Sequence, residues 1–485
     1  MNEALLVAAV VVGSFFLLYN LMAAALLGFA AVDVIRRDRR RVYGIGIVPR
    51  RRLPRLTAIV PAFNEEAGIV ANVRALLHHR YHPLEVLVID DGSTDGTFAR
   101  LTSAFDLVDV PLGPPPALAT APLRSLHVSR ADPRVRVLRK ENGGRADACN
   151  AAIAIARGDL VTITDGDSLV EEGALERCLR PYEEWPLECV AVGGAVCVVN
   201  GSTVDARGRV HVRAPRRAVE AVQVLEYLRG IVAARVAWAR VNGLLIVSGA
   251  FGVFRRDVLV EAGGLATRTL GEDMEVTMRL HALEPRRGRR ARVAFVPEAV
   301  CWTEAPNDLR SLRGQRVRWH VGLLDNLRLH RRMLLRRRYG AAGLLGMPGV
   351  VLEAAAPVMQ LLAYPIAILL LATSAAPVVF VVAFVVVTVL VGEVQTVTAL
   401  LVEDVGSRRY SGRDLAVLSA WGLAETLWYR PLVAAWQVWA TALVLVGRRP
   451  GWGRIPRGHA LGAGAEDPTA ARDAGAPRAA RRPTR

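Results

Sequence analysis

The chain has 485 residues, with 62 basic and 45 acidic side chains that give a formal net charge of +17. Hydrophobic residues make up 52% of the sequence and charged residues 22%, and a mean hydropathy of +0.28 then requires that charged and apolar residues occupy separate segments. This composition excludes intrinsic disorder as the main state, a small disulfide scaffold and a uniformly soluble single domain. No zinc-finger, RNA-recognition or basic-zipper pattern accompanies the basic charge, so we expect no nucleic-acid partner. The five cysteines form no CxxC pair, which predicts reduced, buried thiols.

The N-terminal segment predicts a membrane span. Residues 4–32 are apolar apart from Ser14, Tyr19 and Asn20, and this stretch is longer than the roughly 20 residues that cross a bilayer. A signal peptide would carry basic residues before a shorter apolar core, whereas here they come afterwards, at Arg36, Arg37, Arg39, Arg40 and Arg41. Because arginine-flanked ends stay in the cytoplasm, we predict a transmembrane helix over residues 1–34 with its N-terminus outside.

A second apolar region covers residues 343–447 and predicts further transmembrane or interfacial helices. Two spans stand out within it, at residues 358–373 and 376–402. Residues 415–446 carry charged residues and a proline at their centre, which leaves open one interrupted span or a pair of short helices entering from the cytoplasmic face. Residues 448–485 contain almost no bulky apolar side chains and are predicted to be a disordered basic tail. The chain is thus expected to be a multi-pass protein of the cell membrane.

Residues 35–308 have the alternating pattern of a cytoplasmic α/β domain inserted between transmembrane helices. Residues 66–79 have helical periodicity, while residues 106–132 contain five prolines and are predicted to be an insertion loop of low structural content. Short apolar runs predict buried strands at residues 56–60, 85–89, 134–138 and 160–164.

Acidic residues lie just beyond two of these strands. Asp90 and Asp91 follow the second strand, and Asp165 and Asp167 follow the fourth. Ligands of open α/β sheets bind at the carboxyl edge of the strands. Two carboxylates spaced i, i+2 on a turn suit Mg²⁺ or Mn²⁺, which takes few protein carboxylates and fills its other positions with water and phosphate oxygens. We therefore predict a divalent metal at Asp165 and Asp167, where it would neutralise a diphosphate leaving group.

Seven short motifs follow one another along the chain. They are Val60–Glu65 (VPAFNE), Asp90–Asp95 (DDGSTD), Asn142–Ala148 (NGGRADA), Asp165–Asp167 (DGD), Ser248–Phe251 (SGAF), Gly271–Asp273 (GED) and Gln315–Trp319 (QRVRW). With these motifs the chain resembles the membrane-embedded glycosyltransferases of family 2, the group of cellulose, chitin, hyaluronan and poly-N-acetylglucosamine synthases. The resemblance implies a GT-A-like, Rossmann-like fold for the cytoplasmic domain and a UDP-sugar donor.

The resemblance also implies roles for particular residues. An aromatic side chain such as Phe63 stacks on a base, and carboxylates accept hydrogen bonds from a base or a ribose. Phe63 stands where relatives often have Tyr, and Arg145 stands where many have Lys. The residues expected to bind the nucleotide sugar are Pro61, Phe63, Glu65, Asp91, Arg145, Asp165 and Arg318.

Asp273 matches the general base of the family, which takes the proton from the acceptor hydroxyl in an inverting transfer. Gly271 replaces the Thr that usually precedes it by two positions. Glu272 and Glu275 are the neighbouring alternatives, and a helix cap is the structural alternative for Asp273.

The motif at residues 315–319 lies on a basic amphipathic stretch, residues 309–342, that we expect at the membrane surface. By resemblance, Gln315 and Trp319 line the acceptor site, since a Trp ring suits the apolar face of a sugar, and Arg318 reaches the diphosphate. The motif marks enzymes that extend a bound glycan processively. Transfer of one sugar to a membrane lipid and an inactive receptor or scaffold remain the alternatives, and partner subunits are left open.

Overall fold

The structure is a computed structural model that describes residues 2–42, 53–113, 117–166, 168–205, 209–283, 288, 290–373, 377–407 and 409–448. Asp167 and the predicted tail after residue 448 lie outside these ranges. The strands β1 to β12 are Leu56–Ala62, Leu84–Asp90, Leu107–Val110, Leu123–Ser129, Val135–Lys140, Leu160–Thr164, Leu169–Val170, Cys189–Val198, Thr203–Val204, Val210–His211, Phe251–Arg255 and Arg292–Thr303. The helices α1 to α14 are Asn2–Val42, Ile69–Leu77, Thr97–Phe105, Arg145–Ile155, Ala174–Cys178, Arg180–Glu184, Ala218–Glu226, Ala234–Arg240, Arg256–Glu261, Glu272–Leu283, Leu309–His330, Met347–Ala372, Val378–Ser407 and Gly412–Leu445.

Ten of the strands form one mixed sheet in the order β3-β4-β5-β2-β1-β6-β11-β8-β12-β7. β1 lies at its centre, parallel to β2 and β6, and these three strands are almost entirely buried. Their carboxyl ends therefore meet at one edge of the sheet, which brings the motifs that follow them together. This mixed α/β architecture agrees with the expected GT-A-like fold.

β1 continues through Pro61 to Ala62 instead of ending at Pro61. A proline removes one backbone donor but leaves the neighbouring acceptors in place. The carbonyl of Ala62 accepts a hydrogen bond from the Asp91 backbone N–H at 2.9 Å. The pairing between β1 and the end of β2 is thus maintained past the proline.

The prediction that residues 106–132 form a loop of low structural content is wrong. The segment contains β3 and β4, which pair with each other and continue the sheet antiparallel to β5. Leu126 of β4 is buried against Leu138 of β5 and Ala151 of α4. Burial of these few apolar side chains outweighs the proline content, which is concentrated in the connection between the two strands.

Three helical segments of the described residues are long and apolar enough to cross a membrane: Glu3–Asp33, Ala342–Ala372 and Val378–Asp404. They agree with the predicted N-terminal span and with the two predicted C-terminal spans. α1 continues beyond its apolar part as far as Val42. All five cysteines are buried and form no disulfide, as the sequence predicted.

The segment that the sequence left open, residues 415–446, is one continuous helix, α14. It begins at a capping box in which the Ser411 hydroxyl and the Asp414 carboxylate bond each other's backbone. It passes through Pro431 without interruption and packs along α11. Its charged centre is buried against protein: Glu425 is 2% exposed.

Candidate active site

A cavity of about 2470 Å³ lies between the carboxyl edge of the sheet and the membrane-side helices. At one end it is lined by the β1 and β2 motifs, and at the other by Tyr19 of α1, Tyr364 of α12 and Phe384 of α13. Every predicted site residue in the described part of the chain lines it: Pro61, Phe63, Glu65, Asp91, Arg145, Asp165, Asp273, Gln315, Arg318 and Trp319. The structure thus brings the predicted residues together, while their individual roles remain predictions.

Phe63 is the exposed aromatic side chain at the sheet edge, with 45% of its surface accessible. The next residue, Asn64, has a φ of 57°, a conformation that Asn tolerates better than most residues. The Asn64 Oδ1 atom accepts a hydrogen bond from the Thr94 backbone N–H at 2.8 Å. The turn thus leaves the Phe63 side chain partly exposed in the lining of the cavity.

Asp91 is almost fully buried and holds the neighbouring glycine loop. Its carboxylate pairs with Lys140 Nζ at 2.7 Å and accepts hydrogen bonds from the backbone N–H groups of Gly143 and Gly144, at 3.1 and 2.9 Å. Lys140 is the only lysine in the sequence and also contacts Asp147 Oδ1 at 2.5 Å. The carboxylate of Asp91 therefore orders the loop that begins α4, a role that the motif alone did not reveal.

Arg145, the first residue of α4, joins three segments of the site. Its Nε and Nη2 atoms donate to Asp165 Oδ1 at 3.0 and 2.8 Å. Its Nη1 donates to Glu272 Oε1 at 2.8 Å, and Nη2 also donates to the Gly249 carbonyl at 2.7 Å. Four of its five N–H donors are therefore engaged. Burial raises the pKa of Glu272, the nearby Asp273 raises it further, and Arg145 opposes this shift.

Asp273 lies in the first turn of α10, with its carboxylate facing the cavity. The Gly249 backbone N–H donates to Asp273 Oδ2 at 3.1 Å. Both neighbouring alternatives for the base are engaged elsewhere: Glu272 pairs with Arg145, and Glu275 is buried in ion pairs with Arg279 and His330. Asp273 is thus the carboxylate of this turn that is held in the cavity without a direct cationic partner among the described residues.

The glycine at position 271 has a packing reason. A Cβ atom there would lie 2.9 Å from Asn326 Nδ2 and 3.4 Å from Gly322 Cα, both on α11. Asn326 Nδ2 also donates to the Gly271 carbonyl at 2.7 Å. The turn that carries Asp273 therefore packs directly on α11, and a Cβ at this position would displace the Asn326 side chain that bonds the turn.

α11 brings the QRVRW motif into the cavity, where Trp319 is 45% exposed. The Tyr227 ring lies 6.2 Å from the Trp319 ring at an angle of 45°, and the Arg316 guanidinium carbon lies 4.3 Å from the Trp319 ring centroid. Arg316 itself is 1% exposed. Trp319 is thus in contact with an aromatic ring and a buried cation.

Arg316 belongs to a buried triad that links three helices. Its Nη2 atom donates to Glu226 Oε2 at 2.7 Å, and the Tyr429 hydroxyl donates to the same oxygen at 2.6 Å. Glu226 ends α7, Arg316 lies on α11 and Tyr429 lies on α14.

Burial lowers the pKa of the neighbouring Arg318, with Glu272 acting in the opposite direction.

The residues at the end of β6 fit a divalent metal in their chemistry. Asp165 is 34% exposed towards the cavity and supplies hard carboxylate oxygen. The described residues contain no cluster of three or more His, Cys, Asp or Glu side chains that could hold a metal. A Mg²⁺ ion that shares its coordination with substrate phosphates needs only one or two protein carboxylates. The second predicted ligand, Asp167, is outside the described residues.

Sequence reasoning missed several residues that line the cavity: Glu226, Tyr227, Arg235 and Glu353. Three of them lie in or beside a π-helical segment, Tyr227–Ala233, and π-helical turns often occur at functional sites. No sequence pattern predicted this segment. Glu353 gave the one available signal, since an acidic residue in an apolar span is a candidate functional group.

Two family models match the chain: "Glycosyl transferase family 2" over residues 57–259 and "Glycosyl transferase family group 2" over residues 160–391. Poly-β-1,6-N-acetyl-D-glucosamine synthase of Staphylococcus aureus (strain COL) is 25% identical over 270 residues, which is 55% of this chain and 54% of that protein. The enzyme of the same name from Staphylococcus epidermidis is 22% identical over 272 residues, with the same coverage. The chain thus spans about half the length of the curated relatives that it matches.

Among solved structures, the mannosyltransferase PcManGT from Pyrobaculum calidifontis, in complex with GDP-Man and Mn²⁺, aligns with 89% of this chain and 99% of its own, at a TM-score of 0.48 and 18% identity. The two family models overlap and together extend from β1 into α13. They include the sheet, Asp273, the QRVRW motif and two of the candidate membrane helices. These two matches identify residues 57–391 with the glycosyltransferase 2 family, and the described residues include three helices long and apolar enough to cross a membrane.

Proposed function

We propose that this protein is an inverting, metal-dependent glycosyltransferase that uses a UDP-sugar to extend a β-linked polysaccharide and to move it across the membrane. The first candidate for the donor is UDP-N-acetylglucosamine, and the second candidate is UDP-glucose. One observation carries this proposal: the same cavity contains the sheet-edge residues, Asp273, Trp319 and the inner surfaces of the membrane helices. This arrangement supports a protein-lined route for a polar chain made at Asp273 past the hydrocarbon.

At the donor end, Phe63 would stack on the uracil, and Glu65 and Asp91 would accept hydrogen bonds from the base or the ribose. Arg145 has one N–H donor left for a phosphate oxygen, and Arg318 supplies a second cation. A guanidinium suits the diphosphate because it donates two parallel hydrogen bonds. Pro61 would close the pocket beside the base.

In the transfer itself, Asp273 would take the proton from the acceptor hydroxyl while the hydroxyl oxygen bonds to the anomeric carbon. The bond from that carbon to the diphosphate oxygen breaks on the opposite face, so UDP leaves and the configuration inverts. Asp165 and Asp167 would hold Mg²⁺ or Mn²⁺, which stabilises the charge of the departing diphosphate when bound. The Gly249 N–H keeps the Asp273 carboxylate oriented in the cavity.

On the acceptor side, Trp319 would stack against the terminal sugar, and Gln315 would bond its hydroxyls. The catalytic domain, residues 35–308, would lie in the cytoplasm of a multi-pass plasma-membrane protein, where UDP-sugars are available. The arginines after residue 35 support this orientation. The intact set of Asp165, Asp273, Arg318 and Trp319 in one cavity argues against an inactive scaffold.

The test uses the purified protein in nanodiscs with Mg²⁺ or Mn²⁺ and a panel of radiolabelled UDP-sugars offered one at a time. We expect one donor to give a large, water-soluble product that a glycosidase of matching specificity digests. Label found only in the organic phase would instead identify a glycosyltransferase with a lipid acceptor. In that case both the polymerisation and the translocation would be refuted.

A further inference from the structure

Arg235 is a buried cation that makes no hydrogen bond or ion pair with the described residues. It lies on α8, lines the same cavity as Asp273 and Trp319, and is 8% exposed. Its Nη1 atom is buried and has no hydrogen-bond partner in the described part of the chain. A guanidinium keeps its proton at any physiological pH. Its buried N–H donors therefore cost folding free energy unless a molecule that enters the cavity accepts hydrogen bonds from them.

Glu353 is a second ionisable residue of this cavity that makes no hydrogen bond or ion pair with the described residues. It lies on α12, within the candidate span Ala342–Ala372, and its side chain opens into the cavity. The other charged residues at this end of the cavity are paired: Arg229 with Glu425 at 2.5 Å and Arg316 with Glu226 at 2.7 Å. An ionisable residue that faces a cavity in a membrane span is a candidate functional group by default.

The π-helical segment Tyr227–Ala233 explains how these residues reach the site together. It immediately precedes α8 and contains more residues per turn than an α-helix. Tyr227 at its start meets the Trp319 ring, while Arg235, two residues after its end, lines the same cavity as Asp273 and Glu353. One element therefore presents an aromatic ring and a guanidinium to the acceptor side.

We propose that Arg235 and Glu353 form a binding site for the terminal sugar of the acceptor, beside Asp273. Arg235 donates hydrogen bonds to hydroxyl or carbonyl oxygens of that sugar, and Glu353 accepts hydrogen bonds from its hydroxyls. The carboxyl groups of Asp273 and Glu353 line the same cavity as this guanidinium, so we expect the site to prefer an uncharged sugar to an acceptor that carries a phosphate. The ligand class is therefore an uncharged, polyhydroxylated sugar. This inference rests on the proposed function.

The test compares Arg235→Gln, Arg235→Lys and Glu353→Gln with the wild-type protein in nanodiscs. The donor is UDP-N-acetylglucosamine, and the acceptor is an added β-1,6-linked N-acetylglucosamine pentasaccharide. Loss of a hydrogen bond to a charged group predicts a rise of roughly 10- to 100-fold in acceptor KM for Arg235→Gln and Glu353→Gln. Donor KM and donor hydrolysis without acceptor stay within about twofold, because neither side chain touches the sheet edge. Arg235→Lys recovers part of the acceptor affinity.

Arg240→Gln is the matched control, because Arg240 ends the same helix, pairs with Asp33 and does not line the cavity. Its acceptor KM should stay at the wild-type value. Equal losses of donor and acceptor affinity, or an unchanged acceptor KM in a folded variant, would overturn the inference. If Arg235→Gln does not fold, the isosteric variant Glu353→Gln still tests it.

The charge of the acceptor provides a further test of the inference. Better use of a phosphate-bearing pentasaccharide than of the neutral one by the wild type would also overturn the inference. A wild-type protein that forms no polymer and transfers no sugar to any added oligosaccharide would refute the proposed function and this inference together. An active wild type with a normal acceptor KM in both variants would refute the inference alone.

Discussion

Oδ1 of Asp165 accepts two hydrogen bonds from Arg145, one from Nε at 3.0 Å and one from Nη2 at 2.8 Å. The carboxylate at the end of β6 is thereby fixed to the first turn of α4. Arg145 therefore serves first to orient the carboxylates of Asp165 and Glu272 and to balance their charge. Only its remaining N–H donor is left for the diphosphate.

Replacing Arg145 by Gln should reduce kcat/KM for the UDP-sugar by about 100-fold or more, because it removes both the charge and the link between Asp165 and Glu272. Arg145→Lys should retain part of the activity, since it keeps the charge but loses the multiple donors. Initial-rate kinetics with varied donor measures this. Arg100→Gln, at an exposed position outside the cavity, is the control, and a lysine variant as poor as the glutamine one would contradict the orienting role.

Asp273→Asn should lower kcat by about 10²- to 10⁴-fold, the usual contribution of a general base. UDP binding should stay near the wild-type value, because the amide keeps the size of the side chain and the carboxylate lies apart from the sheet-edge residues. Calorimetric titration with UDP measures nucleotide binding, and transfer assays on the same variant measure kcat. Asp257→Asn, at an exposed residue of α9, controls for the charge change. Loss of UDP binding would point to a structural role for Asp273.

Trp319→Ala should raise acceptor KM by roughly two- to tenfold and shorten the product, since the stacking surface for the sugar is lost. Hydrolysis of the UDP-sugar should fall much less. Product size distribution and UDP release are measured on the same samples. Trp439→Ala is a suitable control, because Trp439 is similarly exposed, at 44%, and lies outside the cavity. Parallel losses of transfer and hydrolysis would argue against an acceptor platform.

Removal of divalent metal by a chelator should stop the transfer, and added Mg²⁺ or Mn²⁺ should restore it. Asp165→Asn should raise the Mn²⁺ concentration for half-maximal activity by at least about tenfold, as even indirect support of a metal ligand contributes that much. Asp109→Asn changes an exposed carboxylate on β3 and should leave the metal requirement unchanged. Full activity in excess chelator would exclude a metal role for Asp165 and Asp167.

Stability should fall as the pH is lowered from 7 to 5. Burial lowers the pKa of His281 from 6.5 to about 4, and its Nε2–H donates to the Leu244 carbonyl at 3.0 Å. Between these pKa values the unfolded chain binds a proton that the folded chain does not, so the stabilisation is complete above pH 6.5 and is lost as the pH falls towards 4. At pH 5 the loss is on the order of 2 kcal/mol.

Thermal unfolding in detergent at pH 7, 6 and 5 measures this effect. His281→Gln should give a smaller decrease over the same range, because the amide retains a donor and does not titrate. His78 is exposed and hydrogen-bonded only within its own helix, so His78→Gln should follow the wild type. An identical pH dependence in His281→Gln and the wild type would exclude His281 as the cause.

The central strands were predictable because β1, β2 and β6 are buried on both faces and therefore form continuous apolar runs. The motifs after them were predictable as a site for the same reason, since parallel strands that share one edge bring their following residues together. The outer strands β3 and β4, of which β3 forms the edge of the sheet, were missed because half-buried strands beside a proline-containing connection carry a weaker pattern. Their positions are decided by pairing with β5, which no local pattern reveals.

Other features depend on contacts between distant segments. α14 remains one helix through Pro431 because Glu425 and Tyr429 beside it are held by Arg229 and Arg316 from other elements. The same holds for Arg235 and Glu353, which lie far apart in sequence and line the same cavity. Gly271, noted in the sequence only as a departure from its relatives, is explained by the close approach of α11.

The burial of Lys140 between Asp91 and Asp147 has a practical consequence for labelling. Lys140 is the chain's only lysine and is 0% exposed, and all five cysteines are buried as well. The folded surface therefore offers no side-chain amine or thiol to ordinary coupling reagents. A single cysteine or lysine introduced at an exposed position would become a unique attachment point for a fluorophore or spin label, with no native residue to remove first.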